Sequence, residues 1–253
     1  SVRSTIEPPA RLRSPRAMPG PMIERIRPGD EIGGYRVGSL LHTGGNGYVY
    51  AVEPASAGAA SMPRVAKIVG DVADACPGNV LALFPSYRFV DDVHRLLRPT
   101  AGHRVLRPSD RSTELERNAV LDALRQEGSR VLLLAVSGGP FAEGVDYPGE
   151  MLHGVVVVSP ALPQVRFEQE RMRLYFEERY GKGFEYAYVI PGMTRVVQSA
   201  GRVIRSESDV GFIALVCNRF LRKPYSRFLP AHWYEEGPGE LAAAEPGDAV
   251  REF

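Results

Sequence analysis

Three arginines and a glutamine are set along one short segment, Thr194-Arg195-Val196-Val197-Gln198-Ser199-Ala200-Gly201-Arg202-Val203-Ile204-Arg205. On a helix over 194–204 continuing to Arg205, the residues Arg195, Gln198, Arg202 and Arg205 share one polar stripe, and Val196, Ala200, Val203 and Ile204 face the opposite, core side. A guanidinium carries a rigid fork of donors that matches phosphate oxygens, so such a stripe beside a cleft suits a transferring γ-phosphoryl group. The same spacing describes a solvated helix whose arginines make weak ion pairs, and spacing alone leaves both readings open. A second set, Gly138-Gly139-Pro140-Phe141-Ala142-Glu143-Gly144-Val145-Asp146-Tyr147-Pro148-Gly149, follows the apolar run Val131–Val136. A strand ending in a glycine-bearing loop lets a ligand approach the backbone, and strand carboxyl ends are where α/β sheets hold ligands. Glu143, Gly144 and Asp146 are candidates there, unless the segment is an ordinary turn.

Two further segments suit contact with a nucleic-acid strand. Val80-Leu81-Ala82-Leu83-Phe84 ends in Pro85-Ser86-Tyr87, where the Ser86 hydroxyl either meets a phosphate backbone or caps the following helix. Near the other end, Arg219, Arg222, Lys223 and Arg227 are interleaved with Phe220 and Tyr225, a texture that tracks a strand or closes a solvated segment.

The elements that must position these residues are legible as uninterrupted apolar runs, 80–84, 131–136, 155–158 and 212–216. Runs of this kind are buried on both faces, which predicts a parallel sheet covered by helices. Amphipathic segments at Phe89–Leu97, Glu114–Gln126, Phe167–Tyr180 and Thr194–Ile204 supply the helices, giving one α/β domain over 77–236. Six prolines among scattered arginines predict a disordered leader over 1–33, and 237–253 reads as a flexible tail.

Bulk properties exclude more than they name. The 253 residues carry 31 Lys and Arg against 30 Asp and Glu, so nucleic-acid contact must come from local clusters. Cys76 and Cys217 are too few and too far apart for a thiolate metal or iron–sulfur site, and no metal site is expected. No apolar run reaches the ~20 residues of a membrane helix, which predicts a cytoplasmic protein with no membrane contact.

Gln198-Ser199-Ala200-Gly201-Arg202-Val203-Ile204-Arg205, with Asp209 and Gly211 behind it, resembles motif VI of the XPD/DinG helicases of superfamily 2, Q-x-x-G-R-x-[IL]-R then D-x-G. The segment Glu143-Gly144-Val145-Asp146 is similar to motif V, and Phe84-Pro85-Ser86-Tyr87 to motif IV; Asn218-Arg219-Phe220 resembles the closing D-x-R-[FY] segment, with Asn218 where Asp is usual. The resemblance implies a RecA-like second motor lobe of an ATP-dependent DNA helicase. It implies Arg202 and Arg205 as arginine fingers, Gln198, Gly201, Glu143, Gly144 and Asp146 at the nucleotide, and Ser86, Tyr87 and Arg219 at DNA. Its cofactor would be ATP with Mg²⁺, its partners single-stranded DNA and a first lobe carrying the Walker loop.

The chain contains neither G-x-x-x-x-G-K-[ST] nor a D-E-A-H box, so the catalytic first lobe is expected elsewhere, in the parent chain or in trans, and the isolated chain is expected to be inactive. Upstream, Gly34–Tyr50 with Gly45 and Gly47, followed by Arg64-Val65-Ala66-Lys67-Ile68-Val69 read as a strand, resembles the first strands of a bacterial Ser/Thr kinase and implies a fragment over 34–70. No H-R-D, D-F-G or A-P-E follows. The alternatives to the helicase reading are a kinase-like or pseudokinase nucleotide-binding protein and a non-catalytic DNA-binding module.

Overall fold

The computed structural model describes residues 62–98, 102–203 and 211–242, with Val250, and, ahead of them, the backbone of strands at 31–32, 35–44 and 47–54. Those strands, β1 (Glu31–Ile32), β2 (Tyr35–Gly44) and β3 (Gly47–Pro54), form an antiparallel sheet in the order β1-β2-β3. The expected leader and most of the expected tail lie outside the described residues.

The larger unit is a five-stranded, all-parallel sheet. Its strands are β4 (Val80–Phe84), β5 (Arg104–Leu106), β6 (Val131–Val136), β7 (Gly154–Val158) and β8 (Phe212–Val216), in the order β5-β6-β4-β7-β8. Residues along β4, β6 and β7 are almost fully buried, because side chains that alternate across a strand meet helices on either side. On one side Leu81, Leu83, Leu133, Val155 and Val157 meet α3 (Glu114–Arg125) and α6 (Ile190–Ala200). On the other, Val80, Ala82, Phe84, Leu132, Leu134, Val156 and Val158 meet α1 (Met62–Ala75) and α2 (Tyr87–Leu96). Burying each such Val, Leu or Phe stabilises the fold by roughly 1.5–3 kcal/mol. The sheet is the predicted α/β architecture.

Two sequence readings are corrected. The segment Arg64–Val69 is not a strand: it is part of α1, whose Ala66, Val69, Val72 and Ala73 repeat at helical spacing and are buried in the core of the α/β unit. The α/β unit therefore includes α1, upstream of the expected start at 77, and the expected 34–70 fragment divides between the three-stranded sheet and α1. The second correction is the arginine helix, which spans Ile190–Ala200 and not 194–204. A turn of π-helix at Glu185–Val189 feeds it, and Gly201 ends it.

Helix α5 (Phe167–Tyr180) matches its predicted bounds yet buries none of its residues. It is held by the segment that follows it: the Tyr188 hydroxyl donates to Glu170 Oε1, the Gly183 amide donates to Glu177 Oε2 at 2.7 Å, and Phe176 stacks on Tyr186. Its C-terminus closes in the left-handed region at Gly181 (φ 63°), where a residue with a Cβ would be strained.

Candidate functional site

The loop after β6 is built for close approach. The Ser137 amide donates to Phe84 O at 2.8 Å, joining the carboxyl ends of β4 and β6. Gly138 turns the chain at φ 80°, and Gly139 donates back to Val136 O at 2.9 Å. A Cβ on Gly139 would lie 3.0 Å from that same carbonyl. Helix α4 (Pro140–Glu143) then starts with proline at its first position, where the missing N–H costs nothing. Phe141 and Ala142 are buried, and the buried Tyr147 donates its hydroxyl to Phe141 O at 2.7 Å. The exposed stretch Glu143–Asp146, with Val145 half-buried in it, is thus anchored at both ends. Burial pushes the Tyr147 phenol well above its ordinary value, with the charge of Arg202 pulling the other way.

Helix α6 is locked against the same region. Gly192 packs against Leu162, where a Cβ would come within 2.7 Å of Leu162 Cδ2 and 3.2 Å of its backbone, so a larger residue would force Leu162 to shift. Met193, Val196, Ser199 and Ala200 are buried, while Thr194 and Gln198 are exposed and Arg195 half-buried. Arg195 Nε lies 3.4 Å from Glu143 Oε1, a pair exposed enough to be worth little in stability. Arg202, just beyond the helix, donates from its guanidinium to Val145 O, and its buried Nε has no acceptor. The two segments meet in an open groove lined by Glu143, Thr194, Arg195, Gln198, Gly201 and Arg202.

The structure thus brings together Glu143, Gln198, Gly201 and Arg202, with Gly144 in the exposed loop beside them and Asp146 exposed at its far end. Arg205 lies outside the described residues. The stripe is shorter than expected: Arg195 and Gln198 share a helix face, but Arg202 sits in the turn after Gly201, which breaks the helix. Arg195, read at first only as part of the stripe, lines the groove through its contact with Glu143.

Ser86 caps α2, its Oγ accepting from the Phe89 amide at 3.2 Å. Tyr87 follows at the carboxyl end of β4, half-buried, its phenol raised by burial and by the Asp110 charge. Arg219 is turned inward: it donates to Ser159 Oγ at 2.6 Å and stacks over the Tyr225 ring at 5.8 Å. Ser159 itself adopts φ 72° at the end of β7. Gly47 opens β3 opposite Gly44, and Gly45 lies outside the described residues. Lys67 is exposed on α1 and pairs with Asp71 one turn on, so it is no strand lysine facing a glycine loop. Among the described residues no group of three His, Cys, Asp or Glu side chains is placed to hold a metal ion, and no helix is long and apolar enough to cross a membrane.

One structural residue, Asn79, belongs to none of the sequence motifs. Its buried amide donates to Leu124 O (2.9 Å) and Met151 O (3.0 Å), and its Oδ1 accepts from the Val131 amide (2.9 Å) and Ser129 Oγ (3.0 Å). It ties the start of β4 to α3, β6 and the turn Gly149–Met151 ahead of β7. Its position just before an apolar strand was the one available signal.

Comparison with known proteins agrees with this arrangement. The model of the helicase C-terminal domain matches residues 69–236. Mouse ATP-dependent DNA helicase DDX11 is 26% identical over 218 residues, covering 76% of this chain and 24% of the relative. The ATP-dependent DNA helicase DinG of Photobacterium profundum is 27% identical over 154 residues, covering 59% of this chain and 22% of its own length. The chain thus spans about a quarter of these relatives. A solved XPD structure in its apo form superposes with a TM-score of 0.54 at 22% identity, over 69% of this chain and 35% of that one, which speaks to the fold. The matched residues hold the whole parallel sheet and both walls of the groove, and the chain belongs to the helicase C-terminal domain family.

Proposed function

We propose that this chain is the second motor lobe of an ATP-dependent DNA helicase, closing on a Walker-bearing first lobe around ATP and Mg²⁺ and stepping along single-stranded DNA. The observation that carries this reading is the groove in which Glu143, Gln198 and Arg202 converge from two distant segments. In the closed state the first lobe holds the β- and γ-phosphates and the metal. Arg202 supplies donors to the charge that develops on the γ-phosphoryl oxygens, and Arg205 is proposed to act beside it. Gln198 and Gly201 contact the nucleotide from the helix side. Glu143, Gly144 and Asp146 do so from the loop, and Ser86, Tyr87 and Arg219 lie on the side given to the strand.

The contact from Arg202 to Val145 O ties the arginine to the loop, so that movement of either is felt by the other. Such an interaction acts mainly in the transition state. With a Walker-bearing first lobe supplied in trans, Arg202→Ala is expected to lower kcat roughly 10³-fold, the scale of arginine fingers, and to leave affinity for single-stranded DNA unchanged. Full turnover per folded complex in that variant would overturn the role.

A further inference from the structure

Helix α5 buries none of its residues, although a helix of its length draws most of its stability from a packed face. Of the ten exposed large apolar residues among the described residues, six lie on α5 or beside it: Val165, Phe167, Met172, Tyr175, Tyr180 and Tyr186. Such a concentration marks an interaction surface. The side of α5 turned to the protein carries Glu170, Arg173 and Phe176: Glu170 meets both Tyr188 and Arg173, and Phe176 meets Tyr186. The opposite side carries Phe167, Arg171, Leu174, Tyr175 and Glu178, spaced i, i+4, i+7, i+8 and i+11, which is a single stripe on a helix. All are exposed except Leu174, which is half-buried. Tyr175 is held in place without being buried. Arg179 donates to its hydroxyl at 3.2 Å, and its ring meets Phe176 edge-on with centroids 5.4 Å apart. A ring fixed in this way loses little freedom on contact.

The stripe is complementary to itself. Arg171 and Glu178 stand about two turns apart on one helix, too far to pair with each other. When a second α5 is laid antiparallel, with a two-fold axis between Leu174 and Tyr175, Arg171 of each copy stands opposite Glu178 of the other, because both are equally far from the axis. Leu174 of each copy then meets Tyr175 of the other. A parallel pair would set Arg171 against Arg171 and Glu178 against Glu178, with the two helix dipoles aligned, so charge selects the antiparallel arrangement. It does not select a nucleic-acid strand: residues 166–185 carry five basic and five acidic side chains, which leaves no net field for phosphates. None of the stripe residues lines the groove of Glu143 and Arg202.

We propose that α5 is a homodimer surface, on which two copies of this chain associate about a two-fold axis. The proposal does not depend on the motor-lobe reading. Two helices of 14 residues touch along roughly 21 Å, a smaller contact than the ~1,600 Å² of a standard interface, so the dimer is weak and concentration-dependent.

The test is sedimentation velocity of the full chain from about 1 μM to about 1 mM. The expected result is a monomer–dimer equilibrium that added salt weakens. Arg171→Glu and Glu178→Arg each set like charges opposite one another twice across the axis, and each is expected to weaken the dimer roughly tenfold. The double variant Arg171→Glu/Glu178→Arg restores opposite charges and is expected to recover the parent affinity. An equimolar mixture of the two single variants is expected to form a heterodimer for the same reason. Both positions are exposed, so the melting temperatures should match that of the parent chain and show that the fold is intact. A chain that stays monomeric across the range overturns the proposal, as does self-association that the single variants leave unchanged or that the double variant fails to restore. If the chain alone is monomeric and the same variants weaken its binding to a Walker-bearing first lobe, the stripe belongs to that lobe and the proposal is wrong.

Discussion

The groove between α4 and α6 and the glycine-rich N-terminal segment began as similar short motifs, each naming phosphate chemistry from a handful of residues. They differ in how their parts are held. Both walls of the groove are anchored in the core, through Phe141 and Tyr147 on one side and Met193, Val196 and Ala200 on the other, and Arg202 bridges them. The kinase-like reading needed Lys67 on a strand beside the glycine turn, and Lys67 instead lies on an amphipathic helix whose apolar face belongs to the α/β core. A motif carries chemistry when each of its pieces is fixed by independent burial. Residue order alone does not supply that.

The contrast is sharpest at the residues that anchor the groove's surroundings. Asn79→Ala would take from the Val131 amide and the Met151 carbonyl the side-chain partner that Asn79 supplies, and is expected to cost on the order of 3 kcal/mol. In thermal unfolding that is a fall of roughly 10 °C in Tm. A shift of a degree or less would show that the turn at Met151 does not depend on this residue.

A smaller effect is expected from His103. Burial holds its imidazole below the ordinary value, with Arg130 adding to the fall and Gly78 O and Asp74 opposing it; Nε2 lies 2.9 Å from that carbonyl. The unfolded imidazole takes up its proton near 6.5, while the folded one resists until lower pH. Stability is therefore complete above about 6.5 and drains as pH falls toward the folded value. The Tm should drop between pH 7.5 and 5, and His103→Gln should flatten that part of the profile. An unchanged profile in the variant would remove His103 from the account.

The smallest effect is expected at Lys67. Lys67→Ala loses an exposed i,i+4 pair with Asp71, worth less than about 0.5 kcal/mol, and should leave strand binding as it was. A marked loss of binding would bring the N-terminal segment back into the function and break the comparison.

Much of this was legible in the sequence. Strands β4, β6, β7 and β8 announced themselves because unbroken Val and Leu runs have few other stable homes, and α5 was bounded correctly by its polar flanks and Gly181. What stayed hidden had weak local signals. Strand β5 is three residues long with an exposed Arg104. Within helix α1 the short apolar pairs Val65-Ala66 and Ile68-Val69 read as a strand when taken alone, and only Val72 and Ala73 extend them to the helical period. The end of α6 was misplaced because Gly201 stops the helix inside a segment whose polar stripe continues on paper to Arg205. The Asn79 network depends on four partners 45 to 72 residues away, which no local pattern encodes.

The central claim is that the groove completes a hydrolytic site that this chain does not hold alone. It is tested most directly by phosphate release from ATP, measured on the chain by itself, on a Walker-bearing first lobe by itself and on the two together with single-stranded DNA. The account predicts background rates for each part and DNA-stimulated turnover for the mixture. Sustained DNA-stimulated phosphate release by a clean preparation of this chain alone would contradict it.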